Sequence, residues 1–331
     1  MTHKIGVLGL HHDHVWGNLE ELQRTGKAEI IGAADPWPEL REKFQNQFGG
    51  TVFGNYDELL QNSDLTAVYI FANNKDSEEL AVKACEKGLH CLVEKPMAAT
   101  LDGARKMLEA AEQNKVRLMI NWPFMWWPQL RHAIELADSG RIGKLWEVRY
   151  RAAHQGPVEL GCSPYFCEWL YDRERNGAGA MMDYCCYGAV LCQVLLGSPE
   201  SVHGVGLNTG TKPDLKLEDN AVLILQYPNA LGVTEASWTQ IGKLTAYNTT
   251  IYGTEGTLYI EPDYQGRVLL ATIEDYEGSA LEIPPSPAHL DTASTHFLAA
   301  IEDPNLELHP LCDAKNCCDA QAILEVGKDL M

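Results

Sequence analysis

The chain has 331 residues, long enough for two domains that each bury a core. Apolar residues make up 45% and charged residues 22%, the balance of a globular protein rather than a disordered or fibrous one. A formal charge of −20 argues against nucleic acid or an anionic membrane as partner, since both call for an excess of Lys and Arg.

The first strand, Ile5–Leu10, begins almost at the initial Met, which leaves no place for a signal peptide and points to the cytoplasm. Apolar strand runs then alternate with amphipathic helical stretches. The strands are Ala28–Ala34, Ala67–Ala72, Cys91–Glu94 and Arg117–Ile120, and the helices Val15–Arg24, Pro38–Phe48, Ser77–Lys87 and Leu101–Gln113. Gly26 and Gly88 stand where helix C-caps belong. This alternation predicts a doubly wound parallel sheet, a nucleotide-binding domain over residues 1–121.

After Asn121 the pattern changes. An aromatic, proline-broken connector (122–128) leads to a helix, Gln129–Ser139, and a long strand, Lys144–Ala153. A small-residue helix covers Gly179–Leu196, and Val202–Ile283 reads as successive strands joined by tight turns. Helices Thr292–Glu302 and Asp313–Lys328 close the chain. Residues 122–331 are therefore expected to form an α+β domain on a mainly antiparallel open sheet. No apolar run approaches the roughly 20 residues of a membrane span. The ten cysteines lack C-x-x-C spacing, so buried reduced thiols are expected rather than a zinc ribbon or disulfides.

Glu94-Lys95-Pro96 closes a buried strand. Proline at 96 favours an extended Lys95, whose ammonium then leaves the carboxyl edge of the sheet, where open α/β sheets bind ligands. A surface Glu-Lys-Pro turn is the plain alternative. The first strand runs into Gly9-Leu10-His11-His12-Asp13-His14, where a G-x-G-x-x-G dinucleotide loop belongs. Only Gly9 fits, because His11 and His14 hold the second and third glycine positions. Asp35, at the end of the second strand, is placed to accept hydrogen bonds from an adenosine ribose and to repel a 2′-phosphate, favouring NAD over NADP. The three histidines and Asp13 invite a metal reading, but neighbours in one tight loop seldom converge on an ion without ligands from elsewhere, so no metal is expected.

In Gly177–Tyr187, Asp183 and Tyr187 stand four residues apart and share a face if the segment is α-helical. A free phenol is a poor base at neutral pH; a nearby ammonium such as Lys95 favours the phenolate.

With these residues in hand, the chain resembles the glucose–fructose oxidoreductase/inositol dehydrogenase (Gfo/Idh/MocA) family over nearly its whole length. The resemblance rests on Asp35, on Ala67-Val68-Tyr69-Ile70 before Asn73-Asn74, on Glu94-Lys95-Pro96, on Asp183 and Tyr187, and on Gly253-Thr254-Glu255-Gly256-Thr257-Leu258. It implies a Rossmann domain, NAD or NADP, and hydride transfer at a hydroxyl-bearing carbon of a sugar, inositol or polyol. It further implies an active-site lysine at Lys95, a substrate-orienting Asp183 and an acid/base Tyr187. Cofactor contacts are expected from Gly9, His11, His12, Asp35, Asn73, Asn74, Glu94, Lys95 and Asn121. Substrate contacts are expected from Trp122, Trp126, His154 and Trp169, each of which is also compatible with a plain core position. The chain departs from the family pattern in the glycine loop, at Asn73-Asn74-Lys75-Asp76-Ser77 and at Met125. Two other readings use the same fold: an NAD-dependent glycosidase working through transient sugar oxidation, and a nucleotide-sensing regulator. A homodimer or homotetramer follows from the resemblance.

Overall fold

A computed structural model describes residues 2–331. The chain forms two compact units, residues 1–121, 162–177 and 287–318 in the first and 122–161, 178–286 and 319–331 in the second. Segments 162–177 and 287–318 cluster with the strands and helices that precede Asn121.

The first unit opens with β1 (His3–Leu8), α1 (Val15–Arg24), β2 (Ala28–Ala34), α2 (Pro38–Phe48), β3 (Thr51–Phe53) and α3 (Tyr56–Leu60). It continues with β4 (Ala67–Ile70), α4 (Asn74–Glu86), β5 (His90–Glu94), α5 (Leu101–Asn114) and β6 (Leu118–Asn121). The six strands are all parallel, in the order β3-β2-β1-β4-β5-β6. β4 and β6 are buried at every position and β5 at all but His90, as expected of strands covered on both faces. The strand order reverses between β1 and β4, so the carboxyl ends of β1, β2, β4 and β5 surround a topological switch point. Gly26 and Gly88, at φ +64° and +76°, follow the ends of α1 and α4 in the left-handed conformation that glycine tolerates.

The chain then contributes α6 (Pro128–Asp138) and β7 (Leu145–Ala153) to the second unit, and returns to the first with α7 (Pro164–Leu170) and α8 (Arg173–Asn176). Asn74 Nδ2 ties this returning segment to α4 by donating to the Asn176 carbonyl at 3.1 Å and its side-chain oxygen at 2.8 Å. In the second unit a π-helical turn, Met181–Cys185, precedes α9 (Cys186–Leu196). There follow β8 (Ser201–Leu207), β9 (Asn220–Gln226), β10 (Leu231–Ser237), β11 (Tyr247–Gly253), β12 (Gly256–Ile260), β13 (Val268–Thr272) and β14 (Ser279–Ala280). They form an eight-stranded sheet, β14-β13-β12-β11-β7-β10-β9-β8, antiparallel except for the β7/β10 pair. Val148, Tyr150 and Ala152 of β7 are buried on the sheet face that packs against α9, with Ile251 and Leu258 beside them. The opposite face carries Arg149, Arg151 and Glu235, together with the exposed Val205 and Leu207. α10 (Ala293–Glu302) belongs to the first unit, and α11 (Ala314–Leu330) closes the chain.

All ten cysteines are free thiols. One helical stretch among the described residues, Arg173–Leu196, has the length and apolarity of a membrane span, which corrects the expectation that none would. Its most apolar window is 78% buried within the protein, because its small and apolar side chains are core residues.

Candidate functional site

In the first unit the candidate residues gather at the carboxyl edge of the parallel sheet. The chain leaves β1 at Gly9 with φ +89°, and a Cβ there would lie 2.4 Å from the Ala72 nitrogen. Glycine is therefore required by the approach of the loop to the end of β4. The next residues close around Asp35. Its Oδ2 accepts the Leu10 N–H at 2.6 Å and lies 2.8 Å from His11 Nδ1, and its Oδ1 accepts the Trp37 N–H at 2.8 Å. His11 Nε2 accepts the Asn73 N–H at 2.9 Å. That acceptor role makes the ring neutral, with its proton on Nδ1 and donated to Asp35.

Asp35 is fully buried. Two backbone N–H groups and the His11 ring surround its carboxylate, at the position expected to meet an adenosine ribose. His11, rather than Asp35, lines the adjoining cavity of about 470 Å³, together with Pro36, Trp37, Asn73, Tyr165 and Trp169. Trp37 and Tyr165 face each other with ring centroids 5.2 Å apart. Sequence reasoning passed over both, although Trp37 stands only two residues beyond Asp35.

Around the same edge, His12 is buried among Phe166, Trp169 and His14, with ring centroids 4.8, 5.6 and 4.7 Å away. Burial first, then the charges of His14 and Lys95, pushes its pKa well below the usual imidazole value, so the ring is neutral. Trp169, expected on a sugar face, instead donates Nε1–H to the His11 carbonyl at 3.4 Å and is 2% exposed. It packs within the first unit. Glu94 at the end of β5 is held from two sides: Oε1 lies 3.0 Å from His14 Nδ1 and Oε2 accepts from Asn121 Nδ2 at 2.8 Å. Lys95 follows, buried, with its N–H on the Asn121 carbonyl at 3.2 Å, and the Lys95–Pro96 peptide bond is cis. Asn73 caps α4 by accepting the Asp76 N–H at 2.9 Å, and Asn74 binds Asn176.

A second cluster of candidate residues lies in the other unit. Asp183 sits in the π-helical turn, whose wider repeat replaces the simple α-helical spacing to Tyr187 anticipated from sequence. Its Oδ2 accepts the Trp238 indole N–H at 3.1 Å, from a partner 55 residues away with no local signature of the pairing. Tyr187, 6% exposed, is ringed by Trp122, Phe124 and Tyr150 with centroids 5.4, 5.0 and 5.6 Å away, Tyr150 stacked and the other two edge-on. Trp122 and Trp126 are buried, at 2% and 4% exposure, so they build walls instead of presenting open faces. His154 ends β7, accepts the Gly156 N–H on Nδ1 at 2.8 Å, and lines a cavity of about 930 Å³ with Trp127, Gln155, Gln240, Tyr247 and Tyr259.

A dinucleotide fits the first unit unequally. The 470 Å³ cavity with its aromatic walls suits an adenosine. The N–H donors that a glycine loop would offer pyrophosphate are engaged elsewhere: Gly9 on the Ala34 carbonyl, Leu10 on Asp35, His12 on the Phe71 carbonyl and His14 on His12 Nδ1. The half-exposed His14 imidazole and the start of α1 are further groups that could meet a phosphate.

Residues 4–122 match the family described as "Oxidoreductase family, NAD-binding Rossmann fold", and residues 130–259 match the "GFO/IDH/MocA C-terminal domain". The chain belongs to the Gfo/Idh/MocA oxidoreductase family. It is thereby an NAD(P)-dependent oxidoreductase whose relatives act on sugars and nucleotide sugars. Among them, 1,5-anhydro-D-fructose reductase of Ensifer adhaerens is 28% identical over 285 residues, 85% of this chain and 83% of that protein. A dTDP-3,4-didehydro-2,6-dideoxy-alpha-D-glucose 3-reductase of Actinomadura kijaniata is 27% identical over 66% of this chain and 64% of its own length. The fold matches aldose-aldose oxidoreductase of Caulobacter crescentus with a TM-score of 0.83, at 19% identity, over 100% of this chain and 97% of that one.

Proposed function

We propose that this Gfo/Idh/MocA protein transfers hydride between NAD and a hydroxyl-bearing carbon of a sugar, inositol or related polyol, with Lys95, Asp183 and Tyr187 as its reacting and orienting side chains. The observation that carries the reading is the environment of these groups. Lys95 is a buried cation directly beyond β5, and Asp183 is a buried carboxylate held by an indole N–H. Titratable groups held away from water in this way are candidates for functional roles.

In this reading Lys95 stabilises the negative charge that develops on the substrate oxygen as the carbon bearing it is oxidised. Tyr187 takes the hydroxyl proton as the phenolate, or returns it as the phenol in the reverse direction. Asp183 orients the substrate by accepting a neighbouring hydroxyl, with its own position fixed by Trp238. The hydride acceptor or donor is the nicotinamide. NAD is favoured over NADP because an acidic residue, Asp35, stands at the end of β2, where a 2′-phosphate would approach. The large cavity beside His154 supplies polar and aromatic walls of the kind that hold a carbohydrate. Self-association through the exposed face of the eight-stranded sheet completes the proposal.

The test is to identify any nucleotide that co-purifies by mass spectrometry, then follow nicotinamide absorbance across a panel of sugars, inositols and their keto derivatives. Turnover of at least one compound with NAD, lost in Lys95→Met, supports the reading; absence of any nucleotide binding removes it.

A further inference from the structure

The loop after β1 was expected to hold no metal, on the ground that neighbouring histidines need a ligand from elsewhere to enclose an ion. The fold supplies that ligand. Glu94, 80 residues from His14, brings its carboxylate to the loop, and one ligand atom each from His12, His14 and Glu94 lies within 4.8 Å of the others. From this geometry we infer that His12, His14 and Glu94 form a binding site for one divalent transition-metal ion of the zinc class.

Two imidazoles and one carboxylate are the donor set of a three-ligand zinc site, which keeps a further position for water. Imidazole nitrogen selects for zinc-like ions over magnesium or calcium, which prefer oxygen. With metal–ligand bonds of about 2.0–2.1 Å, tetrahedral ligand atoms stand about 3.4 Å apart. His14 Nδ1 and Glu94 Oε1, 3.0 Å apart, are already near that separation, so the loop needs to contract only toward His12.

The supporting contacts have the form that metal sites require. Glu94 Oε2 is anchored by Asn121 Nδ2 at 2.8 Å, which leaves Oε1 facing His14. Asn121 also donates to Asn18 Oδ1 at 3.2 Å, and Asn18 Nδ2 donates to the His14 carbonyl at 2.9 Å, so the carboxylate and the histidine backbone share one network. His12 Nδ1 receives only a long bond, 3.3 Å, from the His14 N–H, a contact that ligation through that nitrogen would replace. His12 and Glu94 are 1% and 4% exposed, whereas the His14 side chain is 41% exposed and gives an ion and its water a way in.

An ion here would place a positive charge on the loop whose N–H donors are engaged within the protein. It would attract an anionic ligand at the carboxyl edge of the sheet, the role that glycine-loop amides otherwise fill. The inference is independent of the proposed sugar chemistry, because metal binding is read without substrate or nucleotide.

The experiment uses the full-length protein stripped with a chelator and titrated with Co²⁺, then competed with Zn²⁺. One Co²⁺ per chain with visible ligand-field bands is expected, displaced by Zn²⁺. His14→Ala and Glu94→Gln should each weaken binding at least tenfold, while His203→Ala, an exposed surface histidine, should leave it unchanged. X-ray absorption on the zinc-loaded native protein gives an answer that needs no variant: two imidazoles and an oxygen ligand are expected. Failure to bind a stoichiometric ion, retention of native affinity in both loop variants, or fewer than two imidazoles on the bound zinc overturns the inference.

Discussion

His11 Nδ1 lies 2.8 Å from Asp35 Oδ2 while His11 Nε2 accepts the Asn73 N–H at 2.9 Å, so one neutral imidazole joins the residues following β2 and β4. In a glycine-loop domain these two positions face the nucleotide. Here they face each other through a side chain that stands where the second glycine would be. Replacing His11 by glycine is therefore predicted to have two effects. Stability falls by about 1–3 kcal/mol, because a hydrogen bond to a charged group is lost and the Asn73 N–H loses its acceptor. Affinity for NADH rises by about tenfold, since one acceptor position on Asp35 Oδ2 becomes available to a ribose hydroxyl. Denaturant unfolding and fluorescence titration read the two effects separately; an unchanged NADH affinity would show that His11 does not govern access to Asp35.

A coupling between Asp183 and Trp238 is expected from the 3.1 Å bond between indole and carboxylate. Trp238→Phe should cost about 2 kcal/mol of stability, the usual worth of a hydrogen bond to a buried charged group. In a cycle with Asp183→Asn the two changes should be non-additive by at least about 0.5 kcal/mol. Simple additivity would mean that the indole does not hold the carboxylate.

Gly253 closes β11 at the turn of the Gly-Thr-Glu-Gly-Thr element, where a Cβ would lie 2.0 Å from the Ile142 carbonyl oxygen. A backbone atom cannot swing aside as a flexible side chain can. Gly253→Ala is predicted to destabilise the protein by about 2–3 kcal/mol, measured by urea unfolding. A loss within about 0.5 kcal/mol would contradict the close packing.

Alkaline pH offers a test of the core. Burial raises the pKa of Tyr69, Tyr150 and Tyr184 above the ordinary value of 10.0. For each, the native state keeps a proton that the unfolded chain releases above pH 10, so the stabilisation is complete below that pH and is lost as pH rises toward the native pKa. Each tyrosine should therefore cost about 1.4 kcal/mol of stability by about pH 11 relative to neutral pH. Urea midpoints compared across that range, with tyrosinate absorbance recorded on the native protein, check the sign; native tyrosinate appearing for all thirteen tyrosines at pH 10 would contradict it.

Much of the first unit was legible because its elements are long and locally patterned. α1 and α2 run over the ranges that apolar periodicity and the flanking Gly and Pro indicate. β3 and α3, with three and five residues, are too short to carry a period. α7 and α8 were missed for another reason: distant partners fix their segment. Ser163 N–H donates to Asp13 Oδ2, 150 residues earlier in the chain, and Asn176 is held by Asn74. The same limit explains Trp169, whose local sequence is that of an aromatic cluster and whose position is set by the His11 loop. Asp183 and Tyr187 were recognisable as residues, whereas the π-helical turn beneath Asp183 has no plain signature in the sequence. The role of Glu94 beside His14 is a tertiary fact of the same kind.

The most direct test of the proposed chemistry is single-turnover hydride transfer in the native protein, Lys95→Met and Tyr187→Phe, with nucleotide binding measured in parallel on the same preparations. The account predicts that each variant still binds NADH, within about threefold for Tyr187→Phe, while hydride transfer falls by at least about a hundredfold in both, the scale of losing an oxyanion stabiliser or a proton-transfer group. Transfer at the native rate in either variant, with nucleotide bound, would contradict it.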